Sequence, residues 1–139
     1  MNFEPKVTNR AAFVALWHNG ELLVLQSRKW QTEGTPYLLP GGGCKPNETL
    51  LECVIRETLE EISISISDLQ LAQFDSHVTQ WSNCEFFEVT VPEYPVIVLE
   101  KKLFGYEWWN FEKDKARIEA LKPFMMPGLK WYLEQKGLL

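Results

Sequence analysis

Two apolar runs, residues 11–18 (AAFVALWH) and 21–27 (ELLVLQS), flank an Asn19-Gly20 pair. Asn-Gly tolerates positive φ at both central positions of a type I′ turn, so the pattern predicts a β-hairpin. Residues 30–35 read as a polar loop, and residues 36–39 as a short strand that delivers the chain into Pro40 and the glycine turn Gly41, Gly42 and Gly43. From Glu48 or Thr49 to Ile62 the apolar period lengthens to that of a helix. At about 100° per residue, Leu51, Val54, Ile55, Thr58 and Ile62 share one side, while Glu57, Glu60 and Glu61 share another. Ile62, Ile64 and Ile66 then alternate with Ser63, Ser65 and Ser67, the period of a half-buried strand. Residues 69–78 and 85–91 predict two more strands joined by a hairpin loop. Residues 92–103, interrupted by two prolines, fit neither pattern cleanly. Residues 105–111 predict a last strand, and residues 112–121 and 128–135 two helices separated by a proline-bounded break. The apolar stretch around Trp131 and Tyr132 is expected to cover the core.

The composition narrows this outline. A chain of 139 residues with 45% hydrophobic content can bury a core as one domain over residues 1–139. Its formal net charge of -5 disfavours nucleic acid or an anionic membrane as partner, and no apolar run approaches the roughly 20 residues that span a bilayer. The amino terminus lacks the apolar core of a signal peptide. Cys44, Cys53 and Cys84 form no CxxC pair and leave one over in any pairing, so reduced thiols in a cytoplasmic protein are the expectation.

Glu57, Glu60 and Glu61 stand at i, i+3 and i+4, neighbours on a helix surface and within reach of a shared ion. Held close without a cation, at least one of them should have a raised pKa. Carboxylates of this kind suit Mg²⁺ or Mn²⁺, which neutralise phosphate charge and activate water. A strand that runs through glycines into a helix start is also a common phosphate-binding arrangement.

Residues 42–64 resemble the Nudix box of the (MutT-like) Nudix hydrolase family, G-x5-E-x7-R-E-U-x-E-E-x-G-U. Gly42, Glu48, Arg56, Glu57, Glu60, Glu61 and Ile64 occupy its positions. Thr58 stands where the motif has a bulky apolar residue, its hydroxyl expected to bond back to the preceding turn. Ser63 stands where the motif has the glycine that ends the helix in a left-handed conformation.

The resemblance implies an α/β fold, an α/β/α sandwich with a mixed β-sheet between helices. It implies a metal-dependent hydrolase that cleaves the diphosphate linkage of a nucleoside diphosphate joined to another moiety X. Glu60 and Glu61 would be principal ligands of Mg²⁺ or Mn²⁺, Glu57 a ligand or the general base, and the Gly41 carbonyl a further ligand. Arg56 and Glu48 would form the supporting ion pair, and Glu107 resembles the family's additional carboxylate. Around this set, Arg28, Lys29 and Lys45 are candidates for the second phosphate, and Trp30, Trp81 or Trp108 for stacking on a base. The implied partner is a small-molecule nucleotide bound by a monomer or homodimer. Two other readings stay open: a nucleotide-sensing module without catalysis, and an enzyme like the prenyl-diphosphate isomerases on the same fold.

Overall fold

The computed structural model describes residues 9–79 and 82–139. β1 (Arg10–His18) and β2 (Glu21–Ser27) pair antiparallel at Trp17↔Leu22 and His18↔Glu21. Asn19 and Gly20 between them take φ of 49° and 78°, the two positive values that a type I′ turn needs. β2 ends in a single helical turn, α1 (Arg28–Gln31), where residues 30–35 were expected to be loop throughout; the Ser27 hydroxyl accepts the Trp30 N–H and caps it. β3 (Tyr37–Leu38) pairs with β2. The glycine turn is itself a short strand, β4 (Gly41–Gly43), antiparallel to β1 through Phe13↔Gly41 and Ala11↔Gly43.

After α2 (Leu50–Ile62) follow β5 (Ala72–Val78), β6 (Asn83–Thr90) and β7 (Leu103–Asn110). The chain closes with α3 (Lys115–Ala120), a 3-10 turn (Lys122–Phe124) and α4 (Pro127–Gln135). The sheet runs β3-β2-β1-β6-β5, with β4 also on β1 and β7 also on β2. β1 and β6 are parallel from Arg10↔Asn83 to Trp17↔Thr90 and the other pairings antiparallel, so the sheet is mixed as expected. β1 pairs with β2 only beside their turn and takes β4 as neighbour at its other end, so the sheet parts between them.

Two apolar layers sandwich the sheet. On one face Cys53, Val54 and Ile62 of α2 pack with Val14, Leu16, Leu23, Leu25, Phe87 and Val89. On the other, Ile118 of α3 and Leu129, Tyr132 and Leu133 of α4 pack with Leu22, Val24, Phe86 and Trp109. Each buried aliphatic or aromatic side chain contributes about 1.5–3 kcal/mol, and the carboxy-terminal helix covers the core as its pattern predicts.

Three expectations need correction. Residues 63–67 form no strand: Ile64 and Ile66 are buried between exposed serines, but the backbone there joins no ladder. Alternating burial alone therefore mimicked a strand. The Thr58 hydroxyl is fully buried and has no hydrogen-bond partner among the described residues, so it does not bond back to the preceding turn. Cys44 and Cys53 are joined in a disulfide, with Cys84 free and buried. Nine residues apart in sequence, the two meet because the chain folds back from the end of β4 onto the first turn of α2. Ser63 does take the left-handed conformation of the glycine it replaces, with φ 61° and ψ 30°. A left-handed serine costs about 1 kcal/mol, offset by its N–H on the Leu59 carbonyl at 3.0 Å and its hydroxyl on the Val98 carbonyl at 3.2 Å.

Candidate active site

α2 is held at both ends. The Thr49 hydroxyl accepts the Glu52 N–H at 3.1 Å while the Glu52 carboxylate accepts the Thr49 N–H at 2.9 Å, a reciprocal capping box. At the other end the N–H groups of Val98 and Glu100 donate to the carbonyls of Ile62 at 3.1 Å and Glu61 at 2.9 Å. They satisfy acceptors that the last turn of a helix leaves open. This docking places Glu100 in the same cleft as Glu57 and Glu61.

Arg56 joins the acidic side chains to the glycine strand. Its guanidinium grips Glu48 bidentately, Nε to Oε2 at 2.6 Å and Nη2 to Oε1 at 2.9 Å. Nη1 reaches Glu57 at 3.0 Å and Glu60 at 3.2 Å, and Nη2 donates to the Gly43 carbonyl at 3.1 Å. The Arg56 hydrogen bond holds the Glu48 carboxyl down to about 2.

The two glutamates on the cleft side are desolvated. Burial raises the pKa of Glu57 against the pull of Arg56. Glu61 is 8% exposed and accepts the Gly41 N–H at 2.7 Å. Burial pushes its carboxyl up to about 8, with the charges of Glu57, Glu100 and Glu60 adding to the effect. Among the described residues no lysine or arginine forms an ion pair with it.

The glycines make this approach possible. Gly41 has φ 143°, and a side chain there would strike the Ala12 carbonyl and lie 2.6 Å from the Phe13 Cα. A side chain on Gly42 would lie 2.8 Å from Glu57 Oε2. An oxygen-only donor set with one buried, cation-free carboxylate fits a hard divalent cation such as Mg²⁺ or Mn²⁺.

The cleft has a volume of about 390 Å³, within the size range of small-molecule sites. Besides Glu57, Glu61 and Glu100 its walls carry Lys29, Lys102 and Trp30, and apolar Phe13, Phe86, Met126 and Leu129. The Lys29 ammonium lies 4.7 Å from the centre of the Trp30 ring.

Not every residue singled out by sequence is here. Glu60 is on the exposed side of α2, its side chain 51% exposed and tied to Arg56. Arg28 is exposed and donates to the Lys101 carbonyl at 3.0 Å; Lys45 is exposed too, and neither lines the cleft. Trp108 packs against Tyr94 at 5.1 Å, away from the cleft walls, and Trp81 is outside the described residues. Glu107 is engaged elsewhere: it pairs with Arg117 at 2.7 Å and accepts from Gln26 at 3.0 Å and from the Trp109 indole at 3.1 Å. The carboxylate that sequence reasoning missed is Glu100. Its signal was faint, an acidic residue ending the proline-interrupted stretch.

The NUDIX domain model matches residues 7–131. The chain belongs to the Nudix family. It is by that membership an enzyme of the pyrophosphohydrolase class. Solved structures share the Nudix fold at low sequence identity. A protein of Deinococcus radiodurans is 22% identical and superposes with a TM-score of 0.71, over 91% of this chain and 81% of that one. The Ap4A hydrolase of C. elegans, solved as a binary complex, is 18% identical with a TM-score of 0.65, over 92% and 94%. The dihydroneopterin triphosphate pyrophosphohydrolase of E. coli is 19% identical with a TM-score of 0.65, over 94% and 97%. In this Nudix chain the α/β/α sandwich places the box helix so that Glu57 and Glu61 line the cleft beside the glycine strand. No helix among the described residues is long and apolar enough to cross a membrane.

Proposed function

We propose that this pyrophosphohydrolase, one domain over residues 1–139, cleaves the diphosphate linkage of a nucleoside diphosphate joined to another moiety X. The observation that carries the reading is Glu61, a buried carboxylate without a cationic partner, beside a second desolvated glutamate in a cleft that also presents two lysines. Glu57 and Glu61 would hold Mg²⁺ or Mn²⁺ with the Gly41 carbonyl, Glu100 would complete the acidic set in the cleft, and Glu60 would add its charge from the exposed side of α2. When bound, the ion neutralises charge on the diphosphate and makes a water nucleophilic near neutral pH.

The protein's own residues do the rest. Arg56, anchored by Glu48, fixes the rotamer of Glu57 and ties it to the backbone of the glycine strand. Glu57 is the group placed to take the proton of the attacking water. Lys29 and Lys102 supply positive charge for the phosphate that leaves, and Trp30 offers a flat apolar surface for a base. The walls of Phe13, Phe86 and Leu129 displace bulk water from the reacting groups. The partner is a small nucleotide derivative rather than a nucleic acid, and the setting cytoplasmic. That two of the structural neighbours are named as hydrolases of an Ap4A and of a pterin triphosphate supports this substrate class.

The test is a panel of nucleoside di- and triphosphates, dinucleotides and nucleotide sugars incubated with Mg²⁺ or Mn²⁺ and scored for released phosphate or monophosphate. Cleavage of at least one class, lost on chelation, is the expected result. A panel left uncleaved while a nucleotide still raises the melting temperature would turn the reading to a sensing module.

A further inference from the structure

Cys44 directly follows the glycine strand, and Cys53 sits one helical turn before Glu57; their Cα atoms are 5.2 Å apart and the side chains are bonded. The spacing is within the range a disulfide accepts without backbone movement. Both sulfurs lie within 4.8 Å of a carboxylate oxygen of Glu48, the residue that grips Arg56, which in turn grips Glu57. Cys53 is fully buried and Cys44 only partly, so Cys44 is the more exposed of the two and the one an incoming thiol would attack.

We propose that Cys44 and Cys53 form a reversible redox site, whose bridge staples the glycine strand to α2 and whose opening loosens the acidic site. Opening begins with attack of a thiolate on the Cys44 sulfur, which forms a mixed disulfide there and releases the Cys53 thiolate. A second thiolate attacks the mixed disulfide and frees Cys44; the two attacking thiols leave joined as their own disulfide, and the two electrons they gave up, with two protons, end on Cys44 and Cys53 as thiols. Closing is the reverse, with a small-molecule disulfide such as oxidised glutathione as oxidant: two protein thiols give up two electrons and two protons, and two glutathione thiols appear. In the open state the segment between the cysteines keeps Arg10, which donates to the carbonyls of Lys45 at 2.9 Å and Glu48 at 2.8 Å, and the Glu48–Arg56 pair. The fold therefore survives while the strand bearing Gly41 loses its covalent tie to the helix bearing Glu57 and Glu61.

The test equilibrates the full chain across ratios of reduced to oxidised glutathione, blocks thiols with a maleimide in denaturant, and weighs the product. One labelled thiol, Cys84, is expected at oxidising ratios and three at reducing ratios, interconverting on reversal. The melting temperature should be lower in the reduced form by about 5–10 °C, and Mn²⁺ binding weaker by roughly threefold or more. Cys44→Ser, altered at the more accessible position, should melt at the reduced form's temperature at every ratio. Three labels at all ratios would overturn the proposal, as would one label at all ratios, which would make the bridge a fixed staple. A melting temperature that still follows the glutathione ratio in Cys44→Ser would also overturn it.

Discussion

Glu61 on α2 and Glu107 on β7 are both glutamates of the kind sequence reasoning assigned to a metal, and the fold treats them in opposite ways. Glu107 meets a guanidinium, an amide and an indole N–H, so its charge is already balanced by protein. Glu61 is taken out of water, given one backbone N–H and, among the described residues, no cation, and neighboured by other carboxylates. Folding therefore leaves the first with nothing further to bind and the second with a carboxyl that either keeps its proton or needs a cation. A buried unpaired carboxylate is expensive, and a divalent cation is the simplest way to relieve it. Position near a glycine turn is not what separates a candidate ligand from a structural glutamate; the missing partner is.

The largest effect is expected at Glu61. Glu61→Gln keeps the shape and the bond from Gly41 but removes the charge, and metal-dependent turnover should fall by about three orders of magnitude, roughly 4 kcal/mol in the barrier. Circular dichroism and melting should show a folded protein; turnover within tenfold of the parent would end the metal assignment.

Next in size is the pH response of the metal-free protein. Unfolded, the Glu61 carboxyl titrates at 4.5; folded, at about 8. Between these values the folded state holds the extra proton, so stability is full below about pH 4.5, falls as pH rises and levels off above about 8. The loss is on the order of a few kcal/mol, and the raised pKa of Glu57 works in the same direction. Urea unfolding in the presence of a chelator at pH 5, 7 and 9 measures it. Adding Mg²⁺ should restore stability at pH 9 and do little at pH 5; a stability that rises with pH in the chelated protein would contradict the burial of an unpaired Glu61.

The smallest effects sharpen the contrast between Glu100 and Glu107. Glu100→Gln removes a carboxylate from the cleft and should lower kcat/KM by about tenfold. Glu107→Gln only weakens a half-exposed ion pair worth about 0–1 kcal/mol, and turnover should stay within threefold. Equal losses in the two variants, from parallel kinetics at saturating Mg²⁺, would show that Glu107 acts on the site after all.

The parts of the molecule legible in sequence are those governed by local periodicity. Asn19-Gly20 set its hairpin through φ > 0, Thr49 and Glu52 set the helix start through a box three residues long, and Arg56, Glu57, Glu60 and Glu61 kept their helical spacing. Even Ser63 took the backbone conformation of the glycine it replaces. Apart from the single helical turn at Arg28–Gln31, the misreadings concern what the chain meets after it turns back. Ile64 and Ile66 alternate in burial outside any strand, and the Thr58 hydroxyl finds no partner among the described residues. Cys44 finds Cys53, a contact that no CxxC spacing announced.

Local chemistry along the chain is enough to specify a capped, acidic helix after a glycine-rich turn, because caps, turns and helical faces depend on residues at most a few positions apart. Which carboxylates share the cleft depends on long-range contacts. Two hydrogen bonds from the segment after Pro95 to the end of α2 bring in Glu100, and the Arg117 guanidinium on α3 holds Glu107. Those partners lie from ten to nearly forty residues away in the chain, where the energy of a contact depends on packing and desolvation that no local pattern encodes.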